Sequence, residues 1–236
     1  MPKTVGLVTH PDCSLHTSDG HPEFAGRTRA IEKHFQEIGL ISQLVPITAR
    51  EATLEELALN HDRSFVKRIG SIKPRGIQFL DADTYFNEHS WHAARLSYGG
   101  AILAVDKVMQ GEIDRAFCCL RPPGHHAENA ESMGFCIFNN IAGAARFALT
   151  KHGLSRVAIF DFDVHHGNGT QSAFYEDNSV YFTSLHQWPF YPGTGAATEN
   201  GNGRGRGYTM NFPLNSGTTG KQAIELVESR FRKAME

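Results

Sequence analysis

Ala116 to Leu120 is an unbroken apolar run, closed by Arg115 on one side and by Arg121-Pro-Pro-Gly124 on the other. Such a run lacks the alternation of a half-solvated strand, and the expectation is a strand covered on both faces, as in a parallel sheet packed between helices. Arg156 to Phe162 repeats the pattern. Further strands are expected at Thr4 to Thr9, Gln43 to Ile47, Ser179 to Ser184 and Tyr208 to Pro213. Helices are expected between them: Pro22 to Ile38, Thr53 to Asn60 with a Thr53/Glu56 capping box, Ser64 to Ile72, Glu88 to Gln110, Phe138 to Lys151, residues 170 to 177, and Thr219 to Met235. Strand and helix alternate from end to end without a composition break. The expectation is therefore one α/β domain over residues 1–236, three-layered, with a mainly parallel sheet and helices on both faces.

In such a sheet, ligands bind at the carboxyl ends of the strands. The unusual polar segments lie there, each directly after a strand and before a helix. Bulk properties exclude other functions. Lys and Arg together number 23 against 25 Asp and Glu, so no field of one sign points to nucleic acid or a membrane surface. With no apolar leader or bilayer-length run, a cytoplasmic location is expected. Cys13, Cys118, Cys119 and Cys136 form no C-x-x-C pair, and in a strand neighbours 118 and 119 point to opposite faces, so neither a zinc knuckle nor a disulfide framework is expected. Histidine is the outlier, with 13 copies, among them His125-His126, His165-His166 and His186.

Asp161-Phe-Asp163-Val-His165-His166-Gly-Asn168-Gly carries the most specific chemistry. If the chain leaves its strand still extended, residues 161, 163 and 165 share one face. Two carboxylates and an imidazole without a thiolate suit Zn²⁺ or another borderline divalent ion in a site that retains water. A lone Asp or His here would be a helix cap or a surface residue. Clustered charges at a strand end, however, are costly without a cation. Arg121-Pro-Pro-Gly124-His125-His126 adds two adjacent imidazoles on a stiffened turn. Adjacent histidines do not readily ligate one ion together, but they can serve as a proton-transfer pair. The glycine-rich run 193–207 lacks the strand, G-x-G-x-x-G and helix order of a nucleotide site and is expected to be a flexible rim loop.

Gly20-His-Pro-Glu23, Arg121 to His126, Gly134-Phe-Cys-Ile-Phe-Asn-Asn140, Asp161 to Gly169, Ser184-Leu-His186 and Tyr191-Pro-Gly-Thr-Gly195 together resemble the histone deacetylase family, class II type, which includes bacterial deacetylases and acetylpolyamine amidohydrolases. The resemblance spans nearly the whole chain, in order. It implies zinc-dependent hydrolysis of an acetylated amine, either an acetyl-lysine peptide or a small acylated amine, to the free amine and acetate. Asp163 and His165 would ligate zinc, His126 would be general base and acid, and His125 a supporting imidazole oriented by Asp161. Asn168 stands where class I members carry an aspartate, which would make the partner of His126 neutral. Phe135 and Tyr191 would wall a narrow tunnel with Gly134 at its base, while Phe138 belongs to the core. Arg27 would face an internal channel or form a helix-surface salt bridge. Two potassium sites would map onto Asp161, Asp163, His165, Ser184 and Leu185, and onto Phe174, Asp177, Val180 and Tyr208.

The family places a further aspartate ligand and a Gly-Gly-Tyr segment, whose tyrosine donates to the oxyanion, beyond the helix corresponding to Thr219 to Met235. The chain given stops at Glu236. The expectation is a domain that is C-terminally incomplete and weakly active, with a non-catalytic metal or acyl-amine binder as one alternative. A manganese ureohydrolase is another, although its Asp-x-His-x-Asp order is not the Asp-x-Asp-x-His found here.

Overall fold

The polypeptide path follows the expected alternation in a computed structural model that describes residues 3–231. The elements in chain order are β1 (Val5–Thr9), α1 (Gly26–Glu37), β2 (Val45–Thr48), α2 (Leu54–Leu57), α3 (Arg63–Ser71), β3 (Gln78–Phe79), β4 (Tyr85–Phe86), α4 (Ser90–Met109), β5 (Arg115–Cys118), α5 (Asn140–Lys151), β6 (Val157–Asp161), α6 (Asn168–Phe174), β7 (Val180–Gln187), β8 (Thr209–Leu214) and α7 (Gly220–Leu226). The fold is α/β with parallel sheets and accompanying helices. The chain divides into two compact units, Met1–Leu154 and Ser155–Glu236.

In the first unit β1 is the middle strand of three, parallel to β2 and to β5. Helix α4 lies against this sheet, with Val8, Ala49 and Ala104 buried between them and Ile47, Ala116 and Leu120 at the margin. Gly99 and Gly100, the only breakers in a long helical run, allow this approach. A Cβ on Gly99 would stand 2.2 Å from the Arg50 carbonyl oxygen, and one on Gly100 would stand 2.3 Å from Leu120. The other face of α4 joins α2, α3 and α5 around Leu57, Phe65, Ile69, Tyr98, Ile102 and Phe138. Thr53 and Glu56 close the capping box that opens α2, and the Tyr98 hydroxyl donates to the Glu56 carbonyl at 3.0 Å.

The second unit is a parallel sheet ordered β6-β7-β8, with Asp161 in register with Ser184. Its core is Ile159, Phe174, Val180, Phe182 and Phe212. Thr219 and Gln222 cap α7, which passes into a π turn at Val227–Phe231. The expected continuation to Met235 lies outside the described residues.

Two expectations are corrected. Neither apolar run is wholly buried: Phe117 of β5 and Phe162, just past β6, are 42% and 77% exposed. An apolar side chain on a strand face is buried only where a helix or loop packs over that face. Helix α1 starts at Gly26 rather than Pro22 and buries none of its residues, although Phe35 reaches Phe117 of β5 with ring centroids 5.6 Å apart.

His61 carries a testable charge state. Its Nε2 accepts from the Asn139 amide at 2.9 Å and its Nδ1 faces the Asn129 carbonyl oxygen at 3.3 Å. The ring is thus a neutral bridge with both nitrogens engaged, and burial brings its pKa down to about 4. Because the unfolded chain takes up a proton near the ordinary imidazole pKa while the folded one does not, stability is lost as pH falls from about 6.5 towards 4, amounting to about 2 kcal/mol at pH 5. NMR titration should show the His61 ring unprotonated at pH 5; a midpoint near 6.5 would contradict the assignment.

Candidate functional site

Arg121 holds the loop that carries His125 and His126. The side chain is fully buried. Its Nε donates to Glu23 Oε1 at 2.8 Å, its Nη1 to the carbonyl oxygens of Cys13 (2.9 Å) and His16, and its Nη2 to Glu23 Oε2 and to the Tyr85 hydroxyl (3.0 Å). All five guanidinium protons therefore have an acceptor. Tyr85 donates in turn towards Glu23, and His16 stacks on its ring at 4.3 Å. Burial, and next the Arg121 charge, lower the His16 pKa to about 3, so this imidazole is neutral. Arg27 forms the expected salt bridge, 3.5 Å from Glu23 Oε1, and lines a cavity of about 280 Å³ with Glu23, Arg121 and Cys119.

Beyond Arg121 the chain turns sharply, and a Cβ on Gly124 would stand 2.5 Å from the Asn140 amide nitrogen. His126 is buried, His125 half-buried, and their ring centroids lie 3.9 Å apart. Gly134 packs flat against the inner ring: a Cβ there would meet His126 Cδ2 at 2.4 Å, and the backbone φ is +56°. Phe135 follows with φ +70°, a conformation rare for a non-glycine residue. Two side chains from the loop joining β3 to β4 hold it. Asp81 accepts from the Gly134 amide at 3.2 Å, and Thr84 accepts from the Phe135 amide at 2.9 Å. Sequence reasoning did not single out Asp81 and Thr84, since neither belongs to a recognisable motif. The Phe135 ring meets His21 edge-on at 4.7 Å. Phe138 is in the core, as expected.

In the second unit, β6 ends at Asp161 and the chain bends instead of continuing extended. The Asp161 carboxylate accepts from the Asp163 amide at 3.1 Å, and the Asp163 carboxylate accepts from the His165 amide at 2.8 Å. The three residues thus gather through successive side-chain turns, which correct the period-two expectation. His165 Nδ1 lies 3.3 Å from Asp163 Oδ1. The His165 ring stacks on Phe190 at 5.0 Å and meets Tyr191 edge-on at 5.7 Å, so the expected wall residue stands beside the expected ligand. An oxygen and a nitrogen donor converge with no thiolate in the segment, a set that fits Zn²⁺.

Asn168 is buried at the start of α6. Around it runs a polar network that sequence reasoning only touched through His166 and His186. His166 Nε2 donates to Gln171 Oε1 (3.0 Å), which also accepts from Asn211 (2.7 Å), while Gln171 Nε2 donates to Glu199 (2.6 Å). Glu199 also accepts from the Gly195 and Ala196 amides, and the Gly195 carbonyl accepts from His186 Nε2 at 2.9 Å. The glycine-rich segment is therefore pinned to the sheet and not the flexible rim expected of it. Burial, then the neighbouring His186, brings the His166 pKa down to about 4.

Among the other expected cation-site residues, Ser184 pairs through its hydroxyl with His186 Nδ1 at 2.9 Å, and Leu185 is half-buried. Phe174 and Val180 are core residues, Asp177 caps the turn at Ser179, and the Tyr208 carbonyl accepts from the Phe182 amide at 2.8 Å.

The chain as a whole is similar to known proteins. A family model described as "Histone deacetylase domain" matches residues 21–236. Histone deacetylase 9 of Homo sapiens is 39% identical over 238 residues, a match covering 89% of this chain and 24% of that protein. Histone deacetylase 10, chloroplastic, of Oryza sativa subsp. japonica is 40% identical over 220 residues, covering 86% of this chain and 50% of that protein. A solved structure titled "Crystal Structure of HDA15 HD domain" superposes with a TM-score of 0.86 at 38% identity, covering 89% of this chain and 62% of that one. The chain spans at most half the length of these two curated relatives. With its motifs in place on a matching fold, the chain belongs to the histone deacetylase family.

Proposed function

We propose that this protein hydrolyses an acetylated amine, of the acetyl-lysine or acetylpolyamine type, in a zinc-dependent reaction. The observation that carries the reading is the family match over residues 21–236 together with the buried, glycine-backed imidazole of His126. Asp163 and His165 would hold the ion, which when bound supplies a Lewis acid for the amide carbonyl and acidifies a water molecule.

The protein's own residues do the rest. His126, held against Gly134, takes the proton of the attacking water at a ring nitrogen and returns it to the leaving amine. His125 lies beside it, its ring tilted by 42°, as a supporting imidazole. Asp161 and Asn168 complete the set as an orienting carboxylate and a neutral amide. Phe135 and Tyr191 offer aromatic faces to the aliphatic stem of the substrate and exclude water from it. By the family resemblance, potassium would take structural sites at Asp161, Asp163, His165, Ser184 and Leu185, and at Phe174, Asp177, Val180 and Tyr208.

The test is hydrolysis of an acetyl-lysine reporter by the protein expressed from its full reading frame, with and without a chelator. Chelator-sensitive release of acetate is expected; turnover that survives metal removal would refute the zinc assignment. Asp163→Ala and His165→Ala should each lower bound zinc by one equivalent while circular dichroism stays that of a folded protein, because both residues sit on a solvent-accessible bend. Unchanged zinc content in both would show that the ion lies elsewhere. His126→Ala should retain zinc yet lower kcat by about a hundredfold or more. Near-normal turnover would shift the proton transfer to His125.

A further inference from the structure

His10, Asp12 and His92 come together, and none of the three has a part in the reaction proposed above. Among the described residues they form the one group of three metal-ligating side chains in which a donor atom from each lies within 4.8 Å of the others. His10 follows β1 and caps the 3₁₀ turn Pro11–Leu15, Asp12 lies within that turn, and His92 is in the first turn of α4. All three are half-buried, so the cluster is reachable from solvent but not fully hydrated. The packing that defines the first unit thus brings residues 80 positions apart to one point.

The hydrogen bonds already orient the donors. His92 Nδ1 lies 2.5 Å from Glu51 Oε1, and the other Glu51 oxygen accepts from Arg95 Nη1 at 2.9 Å. With Nδ1 so committed, Nε2 is the nitrogen directed at Asp12 Oδ2, 3.1 Å away. This is the carboxylate–histidine arrangement that fixes the tautomer of metal-binding imidazoles. His10 turns its Nδ1 lone pair inward, accepting from the Asp12 amide at 3.2 Å and lying 3.9 Å from Asp12 Oδ2. Ligand atoms around a tetrahedral ion at ordinary zinc distances stand roughly 3.3 Å apart, and the observed 3.1 and 3.9 Å bracket that spacing.

We propose that His10, Asp12 and His92 form a second divalent-cation site, of zinc-like preference, completed by water and supported by Glu51. The ion takes the place of the proton between His92 and Asp12 and of the Asp12 amide proton at His10 Nδ1. Two imidazoles and one carboxylate favour a borderline cation over calcium or magnesium. The ion would staple the turn after β1 to the start of α4. That turn also supplies the Cys13 and His16 carbonyls that receive Arg121, so its occupancy would stiffen the base of the His125-His126 loop without entering the chemistry.

The test uses Co²⁺ alone as the probe, in protein carrying Asp163→Ala and His165→Ala so that the proposed catalytic ligands do not contribute. Elemental analysis after dialysis should find about one equivalent bound, with visible absorption bands of nitrogen and oxygen ligation. Adding His92→Asn should remove it. Adding His10→Asn, which keeps a side-chain acceptor at the cap position and hence the turn, should weaken it at least tenfold, and Glu51→Gln by about 10- to 100-fold. Absence of cobalt uptake by the folded double variant would overturn the proposal, as would uptake that persists when both histidines are replaced. Failure of the zinc-dependent deacetylase reading would appear separately, as unchanged zinc content in Asp163→Ala and His165→Ala.

Discussion

The burial of Arg121 against Glu23 is the constraint on which the arrangement of the first unit rests. A guanidinium taken out of water is tolerable only if its charge and every N–H find partners, and here one carboxylate, two carbonyl oxygens and a phenol supply them. Those partners come from the turn after β1, the segment before α1, and β4. The charge therefore draws three separate stretches of chain to the residue that precedes Pro122. Removing the carboxylate would leave a buried cation unpaired, at a cost of about 3–5 kcal/mol. The loop carrying His125 and His126 inherits its position from this electrostatic knot as well as from its prolines and glycine.

The second unit solves a similar problem with neutral imidazoles and amides around one ionised carboxylate. Buried His166, His186, Gln171 and Asn211 form a network with the half-buried Glu199, in which each imidazole is a neutral relay, one nitrogen donating and the other accepting. Glu199 remains ionised because three donors turn towards it; burial would raise its pKa, but the bonds from Gln171 and from the Ala196 and Gly195 amides outweigh that and lower it. Gly195 closes the network at short range: a Cβ there would stand 2.4 Å from His186 Nε2.

Much of this was legible in the sequence because it depends on local chemistry. The capping box at Thr53, the helix that starts after Thr219, the parallel strands and the polar loops after β5 and β6 follow from residue pattern alone. Gly134 was assigned to the base of the tunnel by resemblance, and its contact with His126 gives that residue choice a steric reason. What was not legible depends on long-range partners. Asp81 and Thr84 are ordinary turn residues until the fold sets them under Gly134 and Phe135. The rim loop looked mobile because glycines promise freedom, and Glu199, whose carboxylate removes it, carries no local signal. The strand faces of Phe117 and Phe162 were misjudged because apolar runs report a preference for burial, whereas exposure depends on which neighbours are at hand.

The successive turns at Asp161 and Asp163 have a consequence for how an ion would enter and leave. Each carboxylate already spends one oxygen on a backbone amide two residues ahead, so the bend is shaped by the polypeptide itself. On the reading proposed above, a cation arriving there would meet a turn already shaped by the chain's own hydrogen bonds, unlike the small metal sites that fold only around their ion.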